Sequence, residues 1–221
     1  MSYLTRDMSI SAVRNMKKFH DDVVALYSRY DMDLLDNLGR RNIIMSQTQE
    51  KFFSNSLSSS YTGVSNDGKT GQPDIFVGEL NKELECKLTS RHRGGAISFQ
   101  TDHQTLLQKG SLDYLYVIAD EGFNSFAVLH FIDLTVDDFR PVANGSRGKV
   151  AMYKHKGMRK CNVLMGDVIS INQQNLEKLF SKLRNSRMSL STQQHQKILE
   201  KIKYWEETPE KYSFSLEELV V

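Results

Sequence analysis

Only two cysteines, Cys86 and Cys161, occur in the 221 residues. Two thiols exclude a disulfide framework and a four-cysteine zinc site. Cys86 lies inside an apolar run, where a small buried hydrophobe is the expected role, and a reducing cytoplasm is the expected compartment. Three prolines and 13 glycines leave no room for a low-complexity linker. No apolar run reaches the roughly 18 to 20 residues of a membrane span, and MSYLTRDMSISAVRNMKKF lacks the apolar core of a secretion signal. The sequon Asn144-Gly145-Ser146 is therefore not expected to carry sugar. Acidic residues are missing from one stretch altogether. Between Asp138 and Asp167 there are none, while Arg140, Arg147, Lys149, Lys154, Lys156, Arg159 and Lys160 all fall there. A net charge of +2 hides this segregation, which suits a polyanionic partner or simply a solvated basic face.

What remains is the composition of one ordinary globular domain, residues 1–221. Val13, Met16, Phe19, Val23, Tyr27 and Tyr30 recur at helical spacing, predicting an amphipathic helix over 11–31. A second helix is expected over about 41–57. After the serine-rich loop at 54–68 the period changes. DIFVGEL (74–80) and ELECKLTS (83–90) read as two adjacent antiparallel strands. QTDHQTLLQKG fits a helix closed by Gly110, and 112–120 and 125–136 are the strongest strand signals. Residues 150–171 suggest a hairpin turning at Lys156-Gly157, so about 140–171 is expected to be a basic hairpin-like region. The end, about 173–221, reads as helical, with Ser191 and Gln194 as a capping box. The expected fold class is α/β, a mixed sheet flanked by helices.

Two signatures lie end to end in GVSNDGKTGQPDIFVGELNKELECK. GVSNDGKT fits the phosphate-loop pattern. That loop works only when a strand delivers it and a helix starts at its lysine, aiming N–H groups at phosphate. Here Gly71, Gln72 and Pro73 follow Lys69-Thr70, then a β-branched, aromatic run. The context excludes the opening of a helix, and no nucleotide cofactor is expected.

The second signature is Pro73-Asp74 followed by Glu85-Cys86-Lys87. Alternate residues of a strand share a face, so Glu85 and Lys87 point one way and Cys86 the other. A hairpin returning over Asn81-Lys82 brings Asp74 to the Glu85–Lys87 end. A charged pair inside an apolar run otherwise reads as a half-exposed surface ion pair.

This segment, with a helix before it and a helix and strand after it, resembles the core of PD-(D/E)XK nucleases, most closely type II restriction endonucleases, over about residues 41–136. The resemblance implies a restriction-endonuclease-like core with helical additions at both ends. It implies Mg2+ held by Asp74, Glu85 and the backbone carbonyl of Cys86, and Lys87 orienting or deprotonating the attacking water. Glu50, on the helix before the first core strand, would be the extra acidic residue found in many members. It further implies a prokaryotic, sequence-specific endonuclease of double-stranded DNA, a two-fold homodimer on a symmetric site, and a companion DNA methyltransferase that is not a stable subunit. Arg91, His92 and Arg93 would flank the scissile phosphate, and Lys154, Lys156, Arg159 and Lys160 would contact DNA. The Q-x-x-x-Y pattern of recombination-type exonucleases is missing, since Gln100, Gln104 and Gln108 are followed four residues on by Gln104, Gln108 and Leu112. His20, His103, His130 and His195 show no metal-ligand spacing. Two rivals stay open: a structure-selective repair or Holliday-junction nuclease on the same core, and a non-catalytic DNA-binding protein.

Overall fold

The computed structural model describes residues 2–67, 72–90, 97–143, 148–186 and 190–219. The chain opens with two long helices, α1 (Arg6–Ser28) and α2 (Leu38–Ser58). Strands β1 (Val64–Ser65), β2 (Ile75–Val77), β3 (Lys82–Ser90) and β4 (Gln100–Asp102) follow, then helix α3 (His103–Lys109). Next come β5 (Leu112–Ala119), β6 (Ser125–Leu134), β7 (Lys149–Ala151), the single turn α4 (Lys154–Gly157), β8 (Cys161–Met165) and β9 (Asp167–Ser170). The C-terminal part holds α5 (Ile171–Asn185), α6 (Thr192–Glu207), β10 (Tyr212–Ser215) and β11 (Glu217–Glu218). This is an α/β architecture. Where the sequence suggests one domain, the chain divides into two compact units, Met1–Asp167 with Ser215–Val221, and Val168–Phe214.

The larger unit is built on a mixed sheet in the order β1-β2-β3-β5-β6-β11, with β8 also paired to β6. β3 and β5 run parallel; β1 with β2, β2 with β3, and β5 with β6 are antiparallel. Every residue of β5 is buried, as expected of a strand covered on both faces. On one face α1 and α2 contribute Ala12, Val13, Met16, Met45, Phe53 and Leu57, which pack on Ile75, Val77, Leu84, Cys86, Leu115 and Val117. On the other, β4 and β7 form a two-stranded roof over the β5 half. Tyr114 Oη is 2.7 Å from Thr101 Oγ1 on β4, and Tyr116 Oη donates to the Gln100 carbonyl at 2.7 Å. Phe99 meets the edge of Tyr116 at 4.9 Å.

Helix α1 begins earlier than its apolar spacing suggests, because Thr5 caps it by accepting the Met8 N–H. Its buried face is Ser9, Ala12, Val13, Met16 and His20, while Phe19, and Tyr30 just past its end, are exposed. Gly110 closes α3 at φ +78, a left-handed conformation that favours glycine. In the smaller unit the capping box at Ser191 and Gln194 is formed reciprocally. The buried Asn172 amide bonds the Trp205 and Thr208 carbonyls and accepts the Lys211 N–H.

The hairpin expected at Lys156-Gly157 does not form. β7 pairs with β4 and β8 pairs with β6, so the two apolar stretches that were to pair have different partners. The Met152 N–H bonds the Phe99 carbonyl and the Tyr153 N–H the Asp138 carbonyl, both at 2.8 Å. These anchors turn the chain into α4 and a following 3-10 turn, Met158–Lys160. Among the described residues, no helix is long and apolar enough to cross a membrane.

Candidate active site

β2 is short. After Val77 the chain makes a 3-10 turn, Gly78–Leu80, and reverses through Asn81 at φ +50. It then pairs back with Val77 opposite Lys82 and Ile75 opposite Leu84. Asp74 thus sits one step beyond the last pair, level with Glu85, where β3 loses its antiparallel neighbour. Its side chain takes over the role of the missing strand, Asp74 Oδ2 accepting the Cys86 N–H at 2.7 Å. Within an extended strand a residue's N–H and C=O leave on the same side, so the Cys86 carbonyl is directed toward this same gap.

On the face opposite Cys86, Lys87 Nζ donates to Glu85 Oε2 at 3.0 Å and lies 3.7 Å from Asp74 Oδ2. The Cys86 side chain belongs to the core under α1 and α2. Burial is partial at the three charged side chains: Asp74 is 28% exposed, Glu85 17% and Lys87 32%. Solvent therefore reaches the cluster.

Glu50 joins from α2. Burial first, and then the negative charge of Asp74, push its carboxyl up to about 7, with Lys87 opposing. Burial likewise raises Glu85, against the pull of Lys87. For Lys87 burial alone would favour the neutral amine, but Glu85 and Asp74 outweigh it and the net displacement is upward. The ammonium therefore stays charged at neutral pH. Glu85 and Asp74 share one lysine, Glu50 feels the charge of all three, and the two glutamates are held above their ordinary range.

That surplus of negative charge tests the fit to a cation. The donors are carboxylate oxygens beside a strand carbonyl, the ligand type preferred by Mg2+. The chemistry fits, although among the described residues no three His, Cys, Asp or Glu side chains already form a cation-holding group. Asp74 Oδ2 is engaged by a backbone N–H and by Lys87.

No family model, curated protein or solved structure matches this chain.

Of the residues expected to touch DNA, Arg91, His92 and Arg93 lie outside the described residues. The basic cluster of α4 and the turn after it is largely committed to the protein. Lys160 Nζ donates to Asp138 Oδ2 at 2.7 Å and to the Asp133 carbonyl at 2.8 Å. Lys156 Nζ donates to the Asp137 carbonyl at 2.8 Å. Lys154 is half-buried, with its ammonium 6.0 Å from the Phe99 ring and its pKa lowered by that burial. Arg159 is exposed.

Among the described residues, the phosphate-loop pattern contains strand β1 and is followed by strand β2 and not by a helix. Gly68, Lys69, Thr70 and Gly71 lie outside the described residues, and the next element is strand β2. Its first glycine, Gly63, is packed against the backbone of Gly78, where any Cβ would lie 2.8 Å from the Gly63 carbonyl oxygen.

Two buried side chains escape the sequence reading. Gln49 and Arg41 are both fully buried on α2. Polar residues on a helix read as its wet side, and only the packing partner shows otherwise. His20 and His130 are also buried, His20 stacked on Phe123 at 4.7 Å and His130 with its pKa lowered to about 4, chiefly by burial.

Proposed function

We propose that the chain is a Mg2+-dependent endonuclease that hydrolyses phosphodiester bonds of double-stranded DNA, working as a type II restriction enzyme does. One observation carries the reading. Lys87 Nζ lies within 3.7 Å of both Glu85, its neighbour on β3, and Asp74, just before β2, on a solvent-reached face, and Glu50 is close enough to feel their charge.

Asp74, Glu85 and the Cys86 carbonyl would hold the metal ion, with Glu50 contributing a further carboxylate. When bound, a hard cation supplies Lewis-acid polarisation of a phosphoryl oxygen and lowers the pKa of water. Lys87 keeps its proton in the metal-free site, so its first task is electrostatic: it stabilises charge on the phosphate and orients the attacking water. Glu50, raised by burial and Asp74 only while the cation is absent, would ionise when it binds and hold the ion or a metal-bound water. Sequence specificity and a two-fold dimer follow from the resemblance to restriction enzymes and are part of the proposal.

The test is cleavage of plasmid DNA in Mg2+, followed by sequencing of the product ends. Discrete bands with one common terminal sequence support the restriction reading. Cutting confined to branched substrates would instead indicate a junction nuclease. Lys87→Ala should lose at least about 10²-fold in rate while still binding DNA; cutting near the wild-type rate would remove the assignment.

A further inference from the structure

Gln49 is an expensive residue for a core. It is 0% exposed, its Nε2 donates to the Leu115 carbonyl at 3.0 Å, and its Oε1 has no hydrogen-bond partner. A buried amide with an orphan oxygen costs stability that an apolar side chain of the same shape would not.

The Gln49 bond reaches β5, the parallel neighbour of the strand that carries Glu85 and Lys87. Leu115 stands in register with Cys86, the residue between Glu85 and Lys87, and Tyr114 beside it stands in register with Glu85. Gln49 precedes Glu50 directly on α2, about 100° further round the helix by the 3.6-residue turn. A second buried tie comes from the same helix. Arg41 donates to Ser90 Oγ at the end of β3, at 2.7 Å, and to the Asp120 and Glu121 carbonyls. Tied near its start by Arg41 and at its middle by Gln49, α2 can neither roll nor slide freely over the sheet. A side-chain tip lies roughly 5–6 Å from a helix axis, so a roll of about 10° moves the Glu50 carboxylate by about 1 Å. A displacement of that size in a reacting constellation can cost on the order of 10²-fold in rate.

We propose that Gln49 is a positioning residue, whose hydrogen bond to the Leu115 carbonyl fixes the roll of α2 and so aims the Glu50 carboxylate at the Asp74–Glu85–Lys87 cluster. The assignment rests on the nuclease reading for its consequence in catalysis, but its effect on cation binding is separate. Gln49→Met removes the amide and keeps the volume. Gln49→Asn keeps an amide that is one methylene short of the carbonyl, and it carries the same test should the methionine variant fail to fold.

Mn2+ binding, followed by electron paramagnetic resonance on the full chain, is the direct readout, combined with Mg2+-dependent cleavage and thermal melting. Either variant should melt within about 5 °C of wild type, bind Mn2+ about tenfold more weakly and cleave at least about tenfold more slowly. Combined with Glu50→Gln, neither should lower affinity or rate much beyond Glu50→Gln alone, because both act through one carboxylate. Wild-type Mn2+ affinity in the Gln49 variants, or losses that add fully to those of Glu50→Gln, would overturn the proposal. If the wild type binds Mn2+ but cuts no DNA, the nuclease reading falls while the positioning role is still decided by affinity. If the wild type binds no Mn2+, both fall.

Discussion

Asp74 caps the open edge of the strand that carries Glu85 and Lys87: its Oδ2 accepts the Cys86 N–H at 2.7 Å just where β2 stops. One carboxylate thereby satisfies a backbone donor and still faces Lys87 at 3.7 Å. The two roles separate by substitution. Asp74→Asn retains an oxygen that can accept from Cys86, so its stability should stay near wild type. Asp74→Ala leaves the donor without its partner and should lose about 1 kcal/mol in urea unfolding. Both should lose metal-dependent cleavage by at least about 10²-fold. An asparagine variant as destabilised as the alanine variant would show that the charge, and not the hydrogen bond, holds the strand edge.

The elevated Glu50 carboxyl gives a pH dependence with a definite sign. In the unfolded chain this group ionises near its ordinary value of 4.5, whereas in the metal-free folded protein it keeps its proton to about 7. Folding is thus favoured below 4.5, and that contribution is lost as pH rises through 7. Thermal melting of the metal-free protein should fall across this window, and Glu50→Gln should flatten the fall. If Mg2+ binds the ionised site as proposed, it should raise the melting temperature more at pH 7.5 than at pH 5.5. Equal Mg2+ stabilisation at the two values would take Glu50 out of the cation site.

Arg41 is a buried cation held by neutral oxygens. Its guanidinium donates to the Asp120 and Glu121 carbonyls, Ser90 Oγ and Asn42 Oδ1, and it lies 5.1 Å from the Phe123 ring centroid. Arg41→Met would leave the two carbonyls without this donor inside the fold. The expected loss is about 3 kcal/mol in urea unfolding, with Arg41→Lys recovering only part because an ammonium cannot spread over the same fork of acceptors. A loss under about 1 kcal/mol would mean that water replaces the guanidinium at this place.

Much of this site is legible in the residues, because its strand pair is short-range. Asp74, Glu85 and Lys87 lie within one hairpin, so period-two alternation and a turn at Asn81 are enough to bring them together. Even there the first strand ends at Val77, sooner than its apolar run suggests, because Gly78 packs against Gly63 and turns the chain. Long-range partners are not legible. Gln49 reads as a wet helical residue until Leu115, 66 positions away, is seen beneath it. The stretch around Lys156-Gly157 has the apolar, turn, apolar pattern of a hairpin, but its strands prefer β4 and β6. Pattern gives the element's type, and only topology gives its neighbour.

That rearrangement changes what the basic cluster can do. Lys160 is bonded to Asp138 Oδ2 and the Asp133 carbonyl, and Asp138 also accepts the Thr135 N–H at 2.9 Å, closing the turn after β6. Its charge is largely used at home. Arg159, one residue earlier, is exposed. If the protein binds duplex DNA, each phosphate contact contributes about 0.9 to the slope of log affinity against log salt. Arg159→Ala should therefore reduce that slope by about one contact with unfolding unchanged. Lys160→Met should do the reverse, costing about 1–2 kcal/mol of stability and leaving the slope as it was. A fluorescence-anisotropy salt titration of both variants, set beside urea unfolding, separates them. A Lys160→Met protein of wild-type stability whose slope falls by one would return that lysine to the DNA-contacting surface.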